Sequence, residues 1–339
     1  MGGAQTYYTE REMTGSMTEI YMIVGFALSA YAIVANDSIQ TLGTFIASNK
    51  ERPWWQLWMF ASGILVAVLL YSWFTHNGDP AFGRLEAFPY PPEKGYGVIH
   101  VIPPLALLVL TRYGMPVSTT FLILTFFVPK NLEKMAIKSL FGYGLAFMVA
   151  IGVFWAVHKL LISVEEGETP EEKQTGHHSP LWMTLQLLST AFLWSQWLIQ
   201  DLANLFIYFP HSPEPLPASW LALSLVLMVG MQGVIFRAGG GEIQEIVNQK
   251  SGSRDVREAT IINFVYGLVI LFFKEYSKMP MSTTWVFLGL LAGRELSYRL
   301  AEGAPLKETW RMIFMDLGKA TIGLVVSVVL ALGLPYLFN

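Results

Sequence analysis

The sequence predicts an all-α polytopic membrane protein built from two copies of one unit, whose interrupted helices meet at a central site. Three observations predict this fold. Of its 339 residues, 53% are hydrophobic and only 14% are charged, whereas a soluble domain usually carries about 25% charged residues. Apolar runs near the roughly 20 residues that cross a bilayer recur from end to end. One set of polar motifs also occurs twice, at a constant spacing.

The apolar runs are the predicted membrane spans, and the lipid bilayer is therefore an expected partner. They are Ile20 to Ala35, Trp54 to Trp73, Met135 to Ile162, Leu181 to Ile199, Trp220 to Phe236, Ile261 to Phe273 and Phe314 to Leu337. Eleven Trp and 14 Tyr residues suit aromatic belts at two membrane interfaces. The expected location is the cell (inner) membrane.

Other simple properties exclude whole classes of function. The chain has no Cys, so disulfides and thiolate metal sites are impossible. A net charge of −3 without a basic cluster gives no reason to expect a nucleic-acid partner. No cofactor is expected.

An acidic, hydrophilic stretch in mid-chain, Glu165 to His178, indicates a loop between two halves of similar length. We therefore expect a first transmembrane repeat over residues 1–164, a connecting loop over 165–180 and a second repeat over 181–339. An offset of 164 residues carries Asp37 onto Asp201. The same offset carries segment 115–120, MPVSTT, onto segment 279–284, MPMSTT. An offset held without a gap over more than 80 residues indicates internal duplication.

Each half has two predicted interruptions in its helices. The first follows a full span, where Asp37 or Asp201 precedes an apolar piece that is too short to cross the bilayer. The second lies at each Pro-x-Ser-Thr-Thr segment. Irregular backbone at membrane depth persists only where it lines protein or a water-filled cavity, and duplicated transporters place their substrate site at such positions. Four helix beginnings are therefore expected near one pocket, as in a secondary transporter.

The two Asp residues are candidate ion ligands, because a carboxylate inside a membrane needs a cation, a proton or hydrogen-bond donors. An amide follows each Asp by three residues, on the same helix face, and carboxylate and amide oxygens together suit sodium. The alternative is that each Asp only caps the short helix behind it. The predicted cation ligands are Asn36, Asp37, Gln40, Gln200, Asp201 and Asn204, with sodium at Asp37, Asp201, Asn36 and Gln200. Proton coupling is the alternative to sodium.

The Ser-Thr-Thr segments supply hydroxyls and the unpaired N–H groups of helix starts, which favour an anion. The alternative is that they only start helices after Pro. An anion beside two carboxylates requires an accompanying cation or proton, which favours symport. The predicted substrate ligands are Ser118, Thr119, Thr120, Ser282, Thr283 and Thr284, together with Asp37 and Asp201; no residue is assigned a catalytic role.

Several charged residues are interpreted as peripheral. Membrane-interface anchors are expected at four positions before the Pro-x-Ser-Thr-Thr turns, Arg112, Lys274, Glu275 and Lys278. The Gly-rich segment Arg237 to Glu245 lacks the features of a phosphate-binding loop. The roles of that segment and of Asp316 stay open.

These motifs resemble the duplicated signatures of the inorganic phosphate transporter family, over nearly the whole chain. The resemblance rests on Asn36-Asp37 with Gln40, on the segment 200–204 (QDLAN) and on both Pro-x-Ser-Thr-Thr turns. It implies sodium- or proton-coupled phosphate symport, inverted repeats, cation and substrate binding by the Asp and amide residues, and oxyanion binding by the hydroxyls. The chain departs from the family pattern at Val34 and Leu198 (usually Gly), at one amide of each pair (Gln instead of Asn) and at Phe121 and Trp285 (usually His), which indicates a divergent member.

Alternatives remain at this point. A sulfate or other oxyanion permease would use the same scaffold. An intramembrane aspartyl hydrolase, with the two Asp residues as a proton-sharing dyad, would explain the carboxylates and leave the Ser-Thr-Thr turns without a role. Phosphate symport without enzymatic activity is the expected function; membrane orientation and assembly as a homodimer are left open.

Overall fold

The computed structural model describes residues 2–90, 92, 95–113, 117–165, 179–211, 214–240, 244, 256–276 and 278–337. Side chains are described from residue 17 onward, except for residues 158–165. The predicted connecting loop lies largely outside the described residues, as do Met115, Pro116 and residues 241–243 and 245 of the segment from Arg237 to Glu245.

The described part of the first half consists of helices and turns. Its elements are α1 (Gly2–Ala32), a π-helical turn (Ile33–Asp37), α2 (Ser38–Ser48), α3 (Trp54–Thr75), a 3₁₀ turn (Val98–His100), α4 (Ile102–Arg112), a second π-helical turn (Thr120–Leu124), α5 (Thr125–Phe127), a second 3₁₀ turn (Pro129–Asn131) and α6 (Leu132–Glu165).

The second half repeats the order of the main helices, with longer counterparts of α4 and α5. Its elements are α7 (Pro180–Asp201), α8 (Ala203–Phe206), α9 (Ala218–Arg237), α10 (Val256–Tyr276), α11 (Thr283–Ala301) and α12 (Lys307–Leu337).

Among the described residues, six helices are long and apolar enough to cross a membrane, which confirms the predicted helical, polytopic fold. The chain is an integral membrane protein. The predicted run from Leu181 to Ile199 does form a 22-residue helix, α7, but α7 is not among those six. Its polar residues explain this, because Gln186, Gln196 and Gln200 lower the mean hydropathy of α7. All three side chains are buried within the protein.

The predicted break at Asn36-Asp37 is only partly correct. The π-helical turn joins α1 to α2, so that residues 17–48 form one continuous apolar helix. Asp37 makes no side-chain cap to α2. A π-helical turn widens a helix without ending it and is frequent at functional sites. In the second half, by contrast, α7 ends at Asp201 and the short helix α8 begins at Ala203. The expectation of four helix starts at one pocket was therefore wrong in the first half, where the helix continues through Asp37.

The element boundaries repeat the 164-residue offset seen in the sequence. Pro53 and Pro217 directly precede α3 and α9 in nearly the same extended conformation, with ψ angles of 134° and 143°. Helices α4 and α10 end at Arg112 and Tyr276, again 164 residues apart. Pro lacks an N–H and is favoured where a helix begins, so each Pro starts its helix at the same point of its half.

Equivalent elements of the two halves make equivalent contacts. Within each half, α1 packs on α4 as α7 packs on α10; between the halves, α5 packs on α12 as α11 packs on α6. Helix α3 packs directly on its own counterpart α9, where the Trp58 indole N–H donates to the carbonyl of Val229 (2.9 Å) and the Ser62 hydroxyl donates to Gln232 Oε1 (2.8 Å). These contacts are the packing that a pseudo-two-fold relation between the halves would produce.

The contact between α6 and α11 depends on two glycines spaced four residues apart. A Cβ at Gly289 would lie 2.3 Å from the carbonyl oxygen of Tyr143, and one at Gly293 would lie 2.3 Å from that of Phe147. Small residues at this spacing let membrane helices approach closely. The two helices could not keep this distance with larger residues.

We expect Gly293→Ala to destabilise the protein by about 1 to 3 kcal/mol, because the added methyl overpacks a backbone contact. Gly318→Ala on α12 is the matched control, since a Cβ there meets nothing within 4 Å. The measurement is the midpoint of thermal unfolding of the purified protein in detergent. Equal midpoints for the two variants would contradict the close approach of α6 and α11.

Candidate functional site

The two predicted Asp residues lie close together in the interior. Asp37 is 2% exposed and Asp201 is 1% exposed, and their carboxyl groups are near enough to interact electrostatically. The first π-helical turn ends at Asp37 and helix α7 ends at Asp201. Each carboxylate therefore sits where the regular helix changes, as the repeated sequence predicted.

In the first half, Asp37 is bound by donors from two separate segments. The Thr119 hydroxyl donates to the Asp37 carboxylate, and the Asn36 amide donates to Asp37 Oδ1 (2.8 Å) and to the carbonyl of Val117 (3.2 Å). The Gln40 amide in turn donates to Asn36 Oδ1 (2.9 Å). This network ties the π-helical turn to the first Ser-Thr-Thr segment.

The second carboxylate receives a donor from the opposite half. Asn204 Nδ2 donates to Asp201 Oδ1 (2.9 Å), and so does the hydroxyl of Thr120 (3.2 Å). Asn204 also donates to the Thr120 hydroxyl oxygen (3.3 Å). Thr284, the counterpart of Thr120, interacts with Asp37. Each Asp is therefore contacted by hydroxyls from both halves.

The same exchange occurs between the Ser-Thr-Thr segments. The Thr120 hydroxyl donates to the carbonyl of Met281 (3.1 Å), and the Thr284 hydroxyl donates to the carbonyl of Val117 (3.5 Å). Both donors and both acceptors are equivalent at the 164-residue offset. The two helix starts are thus bound to each other across the interface between the halves.

The serines of these segments cap the helices. Ser118 Oγ accepts from the N–H of Phe121 and Ser282 Oγ accepts from the N–H of Trp285, both at 3.2 Å. The Ser-Thr-Thr segments therefore do start helices, which was the alternative to anion binding. An accepted bond still leaves each Ser hydroxyl proton available to a ligand.

The Asp and amide residues of the second half carry buried polar atoms without a hydrogen-bond partner in the described part of the chain, unlike Asn36 and Asp37 of the first half. Among the described residues, no hydrogen-bond partner lies beside Gln200 Nε2 and Oε1, Asp201 Oδ2 or Asn204 Oδ1. Their counterparts Asn36 and Gln40 are joined by the network above. Since buried acceptors are normally bonded, these oxygens are candidate ligands of a cation.

All twelve predicted site residues are buried, and the contacts above connect eight of them, whereas those of Ser118 and Ser282 cap their own helices. Gln200 adjoins Asp201 in the chain without such a contact, and Thr283 interacts with Asp201.

Tyr266 was not predicted from the sequence. The Tyr266 hydroxyl donates to the carbonyl of Thr283 (3.1 Å), and the side chain lies within electrostatic range of both Asp residues. A lone Tyr within an apolar run gives no sequence signal.

Phe121 and Trp285, which replace the His of the family pattern, contact each other. Their rings meet edge to face with centroids 5.9 Å apart. Equivalent residues that touch lie beside the axis relating two halves. The contact gives this part of the site an apolar wall where the family pattern has titratable side chains.

Comparison with known proteins supports the fold. The sequence matches no protein-family model and no curated protein. The structure is similar to a solved structure described as "The sodium-dependent phosphate transporter", with a TM-score of 0.61 over 93% of this chain and 96% of that chain. The two sequences are 16% identical. The likeness confirms the polytopic helical fold that the resemblance implied.

The difference between the two halves predicts different effects of removing Asn36 and Gln200. Asn36→Leu should lower the unfolding free energy by about 1 to 3 kcal/mol, because it leaves bonded partners unsatisfied. Gln200→Met should leave it unchanged or raise it, because no bond to a described residue is lost. Denaturant titration of the purified protein without sodium measures both; equal destabilisation would contradict the asymmetry.

Proposed function

We propose that this chain is a secondary transporter that moves inorganic phosphate together with sodium. The observation that carries this proposal is the bonding of two buried carboxylates to hydroxyls at two helix starts, at the interface between the halves. Thr119 and Thr120 connect these groups directly, to Asp37 and Asp201. The structural similarity to a sodium-dependent phosphate transporter supports the same conclusion.

The second half fits a sodium ion by its chemistry. Asp201 Oδ2, Asn204 Oδ1 and Gln200 Oε1 have no bonded partner among the described residues, and hard oxygen ligands suit hard cations. In the described part of the chain, no group of three or more His, Cys, Asp or Glu side chains could hold a metal ion. One carboxylate with neutral amides matches a monovalent cation better than a transition metal.

The hydrogen bonds suggest how sodium and phosphate are coupled. The Thr119 and Thr120 hydroxyls now donate to carboxylates. A cation beside those carboxylates would compete for their oxygens, and each hydroxyl could then turn its proton toward an oxyanion. The positive charge of the cation would also offset the repulsion between the anion and the two Asp residues. Sodium would therefore bind before phosphate.

Two observations favour transport over an aspartyl hydrolase. Asp37 and Asp201 each have their own Thr and amide donors, which stabilise ionised carboxylates. The exchange of partners between the halves also supports inverted repeats, with the pseudo-two-fold axis in the membrane plane. Such a relation would let one site be reached alternately from either side.

The direct test is uptake of labelled phosphate by proteoliposomes. A sodium gradient should drive uptake, and a proton gradient alone should not. Labelled sulfate tested in parallel separates phosphate transport from a wider oxyanion permease. Absence of uptake of either anion under both gradients would refute the proposed function.

Replacing Thr119 and Thr283 by Val should weaken phosphate binding about tenfold or more, because a hydrogen bond to a charged group contributes about 1.5 to 3 kcal/mol. Thr125→Val is the control, since this buried hydroxyl on α5 has no hydrogen-bond partner among the described residues. Equilibrium binding of labelled phosphate at saturating sodium gives the affinities. Unchanged affinity in the double variant would remove the hydroxyls from substrate binding.

Asp37→Asn and Asp201→Asn should abolish sodium-dependent binding, whereas the Thr double variant should retain measurable sodium affinity. Asp316→Asn on α12 is the control for removing an intramembrane carboxylate away from the site. Sodium-induced stabilisation against heat measures the effect without requiring transport. Stabilisation that is equal in potassium and steeply dependent on pH would assign the carboxylates to protons.

A further inference from the structure

A cavity of about 570 Å³ lies beside the second Ser-Thr-Thr turn and has a basic wall. Four of its lining residues are basic, Arg84, Lys134, Lys138 and Lys278, and one, Glu86, is acidic. The basic side chains come from three separate parts of the chain: the loop after α3, the start of α6 and the segment after α10. Their convergence is therefore a product of the fold.

Two of these basic side chains are almost fully buried. Arg84 is 3% exposed and Lys138 is 6% exposed. Burial lowers the pKa of the Arg84 guanidinium to about 10, so this group stays charged at neutral pH.

The backbone around the cavity is held in place by these same side chains. Arg84 Nη1 donates to the carbonyl of Lys278 (3.0 Å), and Lys138 Nζ donates to that of Met279 (2.7 Å). The Asp79 carboxylate orders the loop that carries Arg84, by accepting from the N–H groups of Ala81 (2.7 Å) and Gly83 (2.6 Å). The basic wall is therefore a built structure.

The cavity adjoins the candidate transport site and a lipid-facing surface. Met279 lines it and precedes Ser282 by three residues. Ile137 and Phe141 line both this cavity and a neighbouring apolar groove along α6. An anion could therefore reach the basic wall from water as a free ion or from the bilayer as the head group of a lipid.

We infer that this cavity binds a phosphate group, with Arg84, Lys134, Lys138 and Lys278 as its basic wall. Arg presents paired donors that match oxyanion geometry, and Lys adds compact positive charge. The ion pair between Lys278 and Glu86, at 3.0 Å and largely exposed, is weak. An anion can therefore displace Glu86 from Lys278. This binding does not depend on the proposed transport.

The test uses the full-length protein with Lys134→Gln and Lys278→Gln, since both lysines are exposed and their loss spares the buried wall. The matched control is Lys307→Gln with Lys319→Gln, which removes the same charge from exposed positions on α12 outside the cavity. Thr119→Val with Thr283→Val is present in every protein tested, to weaken binding at the central site.

One arm measures equilibrium binding of labelled inorganic phosphate at low salt in detergent. The other counts retained phosphatidylglycerol by native mass spectrometry, after purification from vesicles that contain it. A loss of phosphate affinity of about tenfold or more in the cavity variant, with none in the control, supports the inference with the free anion as ligand. Loss of one retained lipid supports it with a head group as ligand.

Cavity variant and control that are indistinguishable in both arms would overturn the inference. The readouts also separate it from the proposed function. If proteoliposomes of the unmodified protein take up no phosphate while the cavity variant still loses phosphate or lipid, the transport proposal fails and the cavity site stands. If uptake is normal and the cavity variant loses neither phosphate nor lipid, the cavity proposal fails and the transport proposal stands.

Discussion

An ionised carboxylate in a low-dielectric interior loses several kcal/mol of hydration unless donors or cations replace the water, and this chain buries two carboxyl groups within electrostatic range of each other. Each carboxylate therefore needs hydrogen-bond donors. Thr119 and Asn36 bind Asp37, and Thr120 and Asn204 bind Asp201. The arrangement of the π-helical turn, the end of α7 and the two helix starts follows from this need.

Duplication satisfies the need economically, because one half can supply the donors of the other. Thr120 belongs to the first half and bonds to Asp201 and Met281 of the second, so the halves cannot separate without exposing buried charge. Yet the copies are no longer equivalent. The Asn36 amide is bonded, whereas Gln200 has no bonded partner among the described residues. Divergence has left one bonded network and one set of available oxygens.

Charge compensation also extends beyond hydrogen-bonding distance. Arg84 lies within electrostatic range of Asp201 while its guanidinium faces the basic cavity. A positive wall near buried carboxylates lowers their electrostatic cost, and it also attracts anions. One group of side chains thus stabilises the interior and prepares a surface for anionic ligands.

The sequence by itself determined the helical membrane fold and indicated the duplication and the buried residues of the proposed central site, because apolar length and repeated motifs are local properties that can be read along the chain. It also predicted the true helix starts at the Ser-Thr-Thr segments, where Pro and Ser act locally. Only the tertiary structure decided that the helix continues through Asp37 and that Thr120 donates a hydrogen bond to Asp201. It also placed Tyr266 beside Thr283, and Arg84 and Lys138 in the cavity wall. Those contacts join residues that are far apart in the chain, with Arg84 bonded to the carbonyl of Lys278 and Lys138 to that of Met279. No local pattern encodes such pairings, because packing of whole helices brings the partners together.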